Sequence, residues 1–314
     1  MITENDLVRE AAETWCAGSG KVCSYYNIRK QFLSALSEYM NKHSLSKEDI
    51  LGISGIGCSG RFTTWQDVVT VHTTHGNAGN TAQGAATAMQ LAKKKGLVYV
   101  VSGDGDALAI GMSNFQQLCH NNVKATYMIL NNGIYAMTAG QTAPTTQQGI
   151  ETVSAPYGNL ETPWDTVSLA IESGATFVAR ASGYPKESKM LKDILLQSFE
   201  HNGTSVIEIM SYCPTQDPVS RKRKLAEAEK EYLKNSVDIK DLKSDLSPKL
   251  KYAVLKEELK KESKLIKGLI YCASEKGYAE LLLEQKKKAQ SAYPGENLKS
   301  RISSMLKDKK ITSI

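Results

Sequence analysis

Strands alternating with helices, and glycine-rich loops placed after the strands, predict an α/β fold built on a doubly wound, mostly parallel sheet. A third observation divides the chain of 314 residues. Residues 1–218 carry 15 basic and 19 acidic side chains and 20 of the 23 glycines, whereas residues 219–314 carry 24 basic and 14 acidic side chains and three glycines. The formal charge of +6 therefore belongs to the C-terminal part. The expected organisation is one domain over 1–218, long enough to bury a sizeable core, followed by a helical, basic C-terminal extension over 219–314. A hydrophobic content of 41% with 23% charged residues fits an ordinary globular protein and excludes collagen-like, mucin-like and wholly disordered chains.

Each element has its own signal. Over residues 24–42, Ile28, Phe32, Leu33, Leu36 and Tyr39 recur at helical spacing. Ile50–Ser54 is a short apolar strand that runs into Gly55-Ile56-Gly57-Cys58-Ser59-Gly60. Val68–Thr73 is strand-like and leads into the loop Thr74-His75-Gly76-Asn77-Ala78-Gly79-Asn80. Thr81–Lys95, rich in Ala, Gln and Met, predicts a helix with Lys93–Lys95 at its C-terminal end, where cations favour the dipole. Leu97–Val101 is a buried strand running into Ser102-Gly103-Asp104-Gly105-Asp106. A helix over about 112–121 and the strand Ala125–Leu130 follow, the strand running into Asn131-Asn132-Gly133-Ile134-Tyr135. Val178–Arg180, a helix around 188–201 and the strand Ser205–Ile209 complete the unit. In such sheets ligands sit at the carboxyl ends of the strands, and the informative loops all fall there. Beyond residue 219, Arg221–Asn235, Lys249–Ile270 and Ser274–Tyr293 read as charged helices with partial apolar stripes.

The opening Met1-Ile-Thr-Glu-Asn-Asp is polar and acidic, and the apolar runs are far too short to span a bilayer, so a cytoplasmic protein is expected. Six cysteines in a chain of this length do not suggest a disulfide framework. Cys119 and Cys272 are expected to be small buried hydrophobes. The basic extension intersperses 14 acidic residues and has few aromatics for base stacking, so neither nucleic acid nor a membrane surface is expected as its partner. Its helices are expected to pack on the core or to dock on a partner through their apolar strips.

The chemistry-bearing pattern is Gly103-Asp104-Gly105 after one buried strand, with Asn131-Asn132 after the next, 26 residues beyond Gly105. Adjacent strand ends let Asp104 and Asn132 converge on one hard cation. A carboxylate, an amide oxygen and the carbonyl of Ile134 supply three oxygens, and diphosphate oxygens with water complete a Mg²⁺ octahedron. The glycines admit a diphosphate without Cβ clashes, and the helix after Gly105 points its N-terminal dipole at the anion.

Together these motifs resemble thiamine diphosphate enzymes, and in detail the β subunit of 2-oxoacid:ferredoxin oxidoreductases, in the branch that uses 2-oxoglutarate or a broad range of 2-oxoacids. The carrying stretches are Thr14-Trp15-Cys16-Ala17-Gly18, Ser54–Arg61, His75-Gly76, Gly103–Gly111, Asn132–Gln141 and Cys213-Pro214-Thr215. The likeness runs in order over roughly residues 10–218 and leaves the extension unplaced. It implies Mg²⁺ ligands at Asp104, Asn132 and the Ile134 carbonyl. It implies thiamine diphosphate contacts at Ile56, Gly57, Cys58 and Ser59, at His75, Gly76, Asn77 and Ala78, at Gly105 and Asp106, and along Ala136, Met137, Thr138, Ala139, Gly140 and Gln141. Arg61 and His75 are the candidate catalytic side chains, although the carbon chemistry belongs to the cofactor. Taken alone, His75 would read as a satisfied loop histidine, and Met137 is equally core packing or an apolar wall of the substrate pocket.

The resemblance further implies one [4Fe-4S] cluster held by Cys16, Cys58 and Cys213. Ser19 stands where the fourth thiolate is usual, and thiolates are the normal cluster ligands. Three arrangements stay open: serine or water ligation, the nearby Cys23 as fourth ligand, or no stable cluster. Two further departures are Asn77, where an arginine is usual, and Arg61, where a lysine is usual and the charge is kept with a changed geometry. The implied reaction is oxidative decarboxylation of a 2-oxoacid to an acyl-CoA, with electrons passed through the cluster to ferredoxin. A thiamine diphosphate site needs a second domain to hold the pyrimidine, and residues 1–218 suffice for one domain only, so the chain is expected to be inactive without a larger α subunit. The alternatives are a cluster-free thiamine diphosphate decarboxylase or lyase subunit, and a non-catalytic structural subunit that retains the fold.

Overall fold

The computed structural model describes residues 1–9, 23–216 and 224–292. The elements, in chain order, begin with α1 (Ser24–His43), β1 (Ile50–Ser54), α2 (Arg61–Thr64) and β2 (Val69–His72). Then come α3 (Ala78–Leu91), β3 (Leu97–Gly103), α4 (Met112–Asn121), β4 (Ala125–Asn131) and a small hairpin of β5 (Ile134–Tyr135) and β6 (Gln141–Thr142). The chain continues through α5 (Thr166–Glu172), β7 (Phe177–Ser182), α6 (Ser188–Glu200), β8 (Thr204–Met210) and α7 (Leu225–Lys234). It ends in β9 (Ser236–Asp238), α8 (Pro248–Lys260), β10 (Leu265–Cys272) and α9 (Tyr278–Ala292).

Eight strands form one sheet in the order β2-β1-β3-β4-β8-β7-β10-β9, parallel throughout except that β10 runs antiparallel to β7. Every residue of β4 is buried, as expected of a central parallel strand covered on both faces. Because side chains alternate along a strand, β3 feeds two cores. Tyr99 and Val101 join Ile28, Phe32 and Leu36 of α1 and Leu195 and Phe199 of α6 on one face. Val98 and Val100 join Ala82 of α3, Phe115 and Leu118 of α4 and Val167 and Ile171 of α5 on the other. The fold class is thus the doubly wound, mostly parallel one that the alternation predicts.

The sheet bends its own rules at one place that matters. After β1 the chain moves outward to β2, then returns to place β3 on the other side of β1. The crevice outside the β1 and β3 ends is therefore a topological switch point, the position where open α/β sheets bind ligands.

Residues 249–270 depart from the expected single helix. A helix, α8, ends at Lys260, a turn carries Ser263 at φ 54°, and Leu265–Cys272 is the strand β10. The apolar run Leu265-Ile266 and Leu269-Ile270-Tyr271 fits a strand, and Gly268 at φ 100° would break a helix there. Tyr252, Ile266 and Ile270 enter the second core, so the extension shares the hydrophobic interior of the sheet. Two smaller corrections follow from termini and edges. The helix predicted over Thr81–Lys95 starts at Ala78 and stops at Leu91, because Lys93 turns left-handed at φ 53°. Cys119 is fully buried as expected, but Cys272, at the end of β10, is exposed. Among the described residues no helix is long and apolar enough to cross a membrane.

Candidate cofactor-binding site

The loops after β1, β2, β3 and β4 meet at the carboxyl edge of the sheet, and one buried carboxylate ties three of them together. Asp106 Oδ1 accepts the backbone N–H of Gly76 at 2.9 Å and of Ile56 at 3.2 Å, while Oδ2 accepts Ser102 Oγ at 2.7 Å. His75 Nδ1 lies 3.1 Å from Asp106 Oδ1. Asp106 thus spans the switch point and sets the spacing between the Gly55–Gly60 turn and the His75-Gly76 loop. Gly55 has to be glycine for this: a Cβ there would lie 1.7 Å from Asp106 Oδ2. Between Gly105 and α4, residues Asp106–Ile110 form a π-helical turn in place of the simple helix start that the sequence suggests. Such single turns are common where a functional side chain has to be re-aimed.

Asp104 and Asn131, at the ends of adjacent strands, are brought together, while Asn132 Oδ1 turns to the Ile134 N–H. Strands β3 and β4 are adjacent and in register through Gly103 and Leu130, which brings the residues just beyond them side by side. The link between them is Thr145, which sequence reasoning missed: its Oγ1 lies 2.6 Å from Asp104 Oδ2 and 2.8 Å from Asn131 Oδ1. One hydroxyl proton cannot serve two acceptors at once, so the cluster is rich in oxygen and one positive centre short. Burial pushes the Asp104 carboxyl up to about 6, against the opposing pull of Thr145 and of nearby backbone N–H groups. No ion pair among the described residues engages Asp104. A buried carboxylate with no ion-pair partner among the described residues, sharing a hydroxyl with an amide oxygen, fits a hard divalent cation. Among the described residues no three His, Cys, Asp or Glu side chains converge on one ion, so the fit rests on mixed carboxylate, amide and carbonyl oxygens.

The turn that follows β4 is built by its own side chains. Asn131 Oδ1 accepts Gly133 N–H at 3.0 Å and Asn132 Oδ1 accepts Ile134 N–H at 3.2 Å. Gly133 sits at φ 68°, and its carbonyl accepts Thr146 Oγ1 at 2.6 Å. Tyr135 donates its hydroxyl to the Gly105 carbonyl at 3.2 Å, with its ring filling the space where a Gly105 Cβ would stand. In the hairpin that follows, Met137, Thr138 and Ala139 are exposed and Gly140 is buried at φ 101°. Met137 is therefore not core packing. Ser59 is buried with its Oγ lacking a hydrogen-bond partner, 3.4 Å from the space above Gly103. That orphaned hydroxyl and the open space beside Gly57, at φ 113°, suit a bound anionic group at the β1 turn.

Asn77 is exposed and turns its amide back onto its own loop. Its Nδ2 donates to Thr74 Oγ1 at 2.8 Å and to the His75 carbonyl at 3.3 Å, closing the loop before α3. Ala78 begins α3 and is fully buried. Arg61 opens α2, just after the Gly-Cys-Ser turn, and is exposed.

Of the cysteines proposed for a cluster, Cys16 lies outside the described residues, as does Ser19. Cys58 and Cys23 pack against the same core, and Cys23 Sγ is 3.8 Å from the Tyr212 carbonyl, next in sequence to Cys213. Ser24 fixes this junction through Tyr212 N–H at 2.7 Å. Tyr25, next to Ser24 in α1, is buried. Its pKa is raised first by burial and then by Cys58, Cys23, Asp104 and Cys213.

The fold and this site define a thiamine pyrophosphate enzyme domain, and residues 55–209 match the family described as the C-terminal TPP binding domain of thiamine pyrophosphate enzymes. The chain is 40% identical over 205 residues to the 2-oxoglutarate synthase subunit KorB of Archaeoglobus fulgidus, covering 65% of this chain and 71% of that one. It is 36% identical over 209 residues to the 2-oxoglutarate oxidoreductase subunit KorB of Mycobacterium tuberculosis, covering 67% of this chain and 52% of that one. Among solved structures, 2-oxoglutarate:ferredoxin oxidoreductase from Magnetococcus marinus, with 2-oxoglutarate, coenzyme A and succinyl-CoA bound, superposes with a TM-score of 0.78 at 27% identity, over 96% of this chain and 95% of that one. The chain belongs to the β subunits of the 2-oxoacid:ferredoxin oxidoreductases, thiamine pyrophosphate-dependent oxidoreductases.

Proposed function

We propose that this β subunit, assembled with a larger α subunit, oxidatively decarboxylates a 2-oxoacid to its acyl-CoA and passes the electrons through a [4Fe-4S] cluster to ferredoxin. The proposed substrate is 2-oxoglutarate, supported by the relatives named for it and by the neighbour that holds it with coenzyme A. The single observation that carries the reading is the buried Asp104 joined through Thr145 to Asn131 at the ends of β3 and β4. Bound thiamine diphosphate would supply the electron sink for decarboxylation.

The residues of this chain have separate duties. Asp104, the Asn132 amide and the Ile134 carbonyl are proposed to hold Mg²⁺ against the diphosphate. Ile56–Ser59, His75–Ala78, Gly105–Asp106 and Ala136–Gln141 are proposed to line the cofactor. Asp106 accepts the Ile56 and Gly76 N–H groups and so holds these two loops at fixed spacing, a preorganisation that favours catalysis. Cys58 and Cys213 are proposed cluster ligands with Cys16, and Cys23 or Ser19 as the fourth.

The test is the content and turnover of the assembled αβ complex. Expected are bound thiamine diphosphate, Mg²⁺, about four iron and four sulfide per β subunit, and reduction of ferredoxin that requires both 2-oxoglutarate and coenzyme A. Release of CO₂ without ferredoxin reduction, from a complex lacking iron, would replace this reading with a cluster-free decarboxylase. Failure to bind thiamine diphosphate with Mg²⁺ would make the chain a structural subunit.

A further inference from the structure

The C-terminal extension has no part in the proposed chemistry, yet a buried hydrogen-bonded chain connects it to the site. The chain starts at Asn131. Its Nδ2 donates to Glu208 Oε1 at 2.8 Å. A carboxylate only accepts, and Gly133 N–H, 3.0 Å from Asn131 Oδ1, only donates. The amide therefore has one possible orientation, with its oxygen toward Gly133 and Thr145. From there Thr145 reaches Asp104, and Gly133 shapes the turn that presents Asn132 and Ile134.

Glu208 lies at the centre of β8 and is 3% exposed. It also accepts Thr166 Oγ1 at 2.7 Å and Arg180 Nε at 2.5 Å. Arg180, on β7 and 4% exposed, donates onward to Asp165 at 2.8 Å, to the Ile266 carbonyl at 2.9 Å and to Tyr252 Oη at 3.3 Å. Tyr252 belongs to α8 and Ile266 to β10, both in the extension. Tyr252 Oη also donates to Asp165, and Lys256 of α8 lies 2.9 Å from Asp165 Oδ2. A buried guanidinium needs most of its donors satisfied: Glu208 and Asp165 take Nε and Nη2, and the extension takes Nη1 through Tyr252 and Ile266.

We propose that Glu208 is a positioning residue for the Mg²⁺–diphosphate site, fixing the Asn131 amide so that its oxygen orders both Asp104 and the Asn132–Ile134 turn, and that the extension holds Glu208 in place through Arg180. This rests on the Mg²⁺ reading above. Replacing Glu208 by Gln leaves one oxygen where two are needed. Turned toward Arg180, the new amide faces Asn131 Nδ2 donor to donor. Asn131 can then relieve the clash only by flipping, which sets its NH₂ against Gly133 N–H.

The experiment uses the full chain in its assembled complex and reads the Mg²⁺ concentration for half-maximal retention of thiamine diphosphate, with bound metal measured separately. Glu208→Gln is expected to raise that concentration about tenfold or more, and Tyr252→Phe to raise it about threefold. The control is Glu187→Gln, which breaks the buried pair between Glu187 and Lys267 of β10, 3.0 Å apart, outside the relay. It is expected to lower the melting temperature without moving the metal requirement. An unchanged requirement in both Glu208→Gln and Tyr252→Phe would overturn the proposal, as would an equal shift in Glu187→Gln. If Glu208→Gln does not fold, Tyr252→Phe alone decides. Cofactor retention independent of Mg²⁺ in the unaltered complex would instead remove the Mg²⁺ reading and the proposal with it.

Discussion

Gly105, Thr145 and Asp106 show how much of the site depends on single atoms. A Cβ at Gly105 would stand 2.1 Å from the Tyr135 ring, so Gly105→Ala has to push the ring off the Gly105 carbonyl and shift the hairpin after β4. The expected cost is about 1–3 kcal/mol of stability, read by urea unfolding, with a matching loss of thiamine diphosphate affinity. Thr145→Val removes the hydroxyl shared by Asp104 and Asn131. Affinity for Mg²⁺ with thiamine diphosphate is expected to fall about tenfold, close to the worth of one buried hydrogen bond. Isothermal titration of the assembled complex checks it; unchanged affinity would mean that Thr145 merely packs. The glycine-flanked Asp104 was legible in the sequence because its chemistry is local. Thr145 was not, since it lies 41 residues on in a loop of ordinary Thr and Gln residues, with only its tertiary partners to mark it.

At the scale of elements, the buried charges between β7, β8 and α8 set a pH dependence. Burial disfavours the Asp165 carboxylate, but Arg180, Ser168 and Lys256 overcome it and hold the group far below its ordinary value of 3.8. A depressed acid stabilises the fold above its unfolded pKa, and that contribution is lost as pH falls through the folded value. Stability measured by urea unfolding should therefore be full near neutrality and decline once the pH drops below about 4. Asp165→Asn should lower stability at pH 7 and flatten the acid part of the curve, so that the gap to the unaltered chain narrows with acid. A gap that stays constant across this range would show that Asp165 contributes through shape alone. Most elements here were readable from hydrophobic period and glycine punctuation. The strand β10 was not, because its Lys267 and Gly268 break an apolar run short enough to pass for a helix end. What settles it as a strand is pairing with β7, a partner about 90 residues earlier in the chain.

Across the whole molecule, the extension completes the sheet. Strand β10 covers the edge of β7, and Tyr252, Ile266 and Ile270 fill the second core. A chain ended after residue 216 should expose the β7 edge and leave Arg180 without its Tyr252 and Ile266 partners. It is expected to aggregate or to melt well below the full chain in circular dichroism, and a truncated chain that folds and assembles normally would contradict this. The charge split also gains a meaning. The Asp104 site sits in the mildly acidic, glycine-rich part, where backbone N–H groups and a bound cation supply the positive charge that side chains do not. By itself the sequence determined the alternating α/β fold, the strand ends that carry chemistry and the Asp104–Asn132 spacing, because these follow from periodicity and glycine geometry over short stretches. Only the tertiary structure decided the partners of those groups: Thr145 between Asp104 and Asn131, Asp106 across the switch point, Cys23 against the Tyr212 carbonyl, and the line from Glu208 through Arg180 to the extension. Those contacts join residues tens to hundreds of positions apart, and no local pattern records which buried polar group will satisfy which.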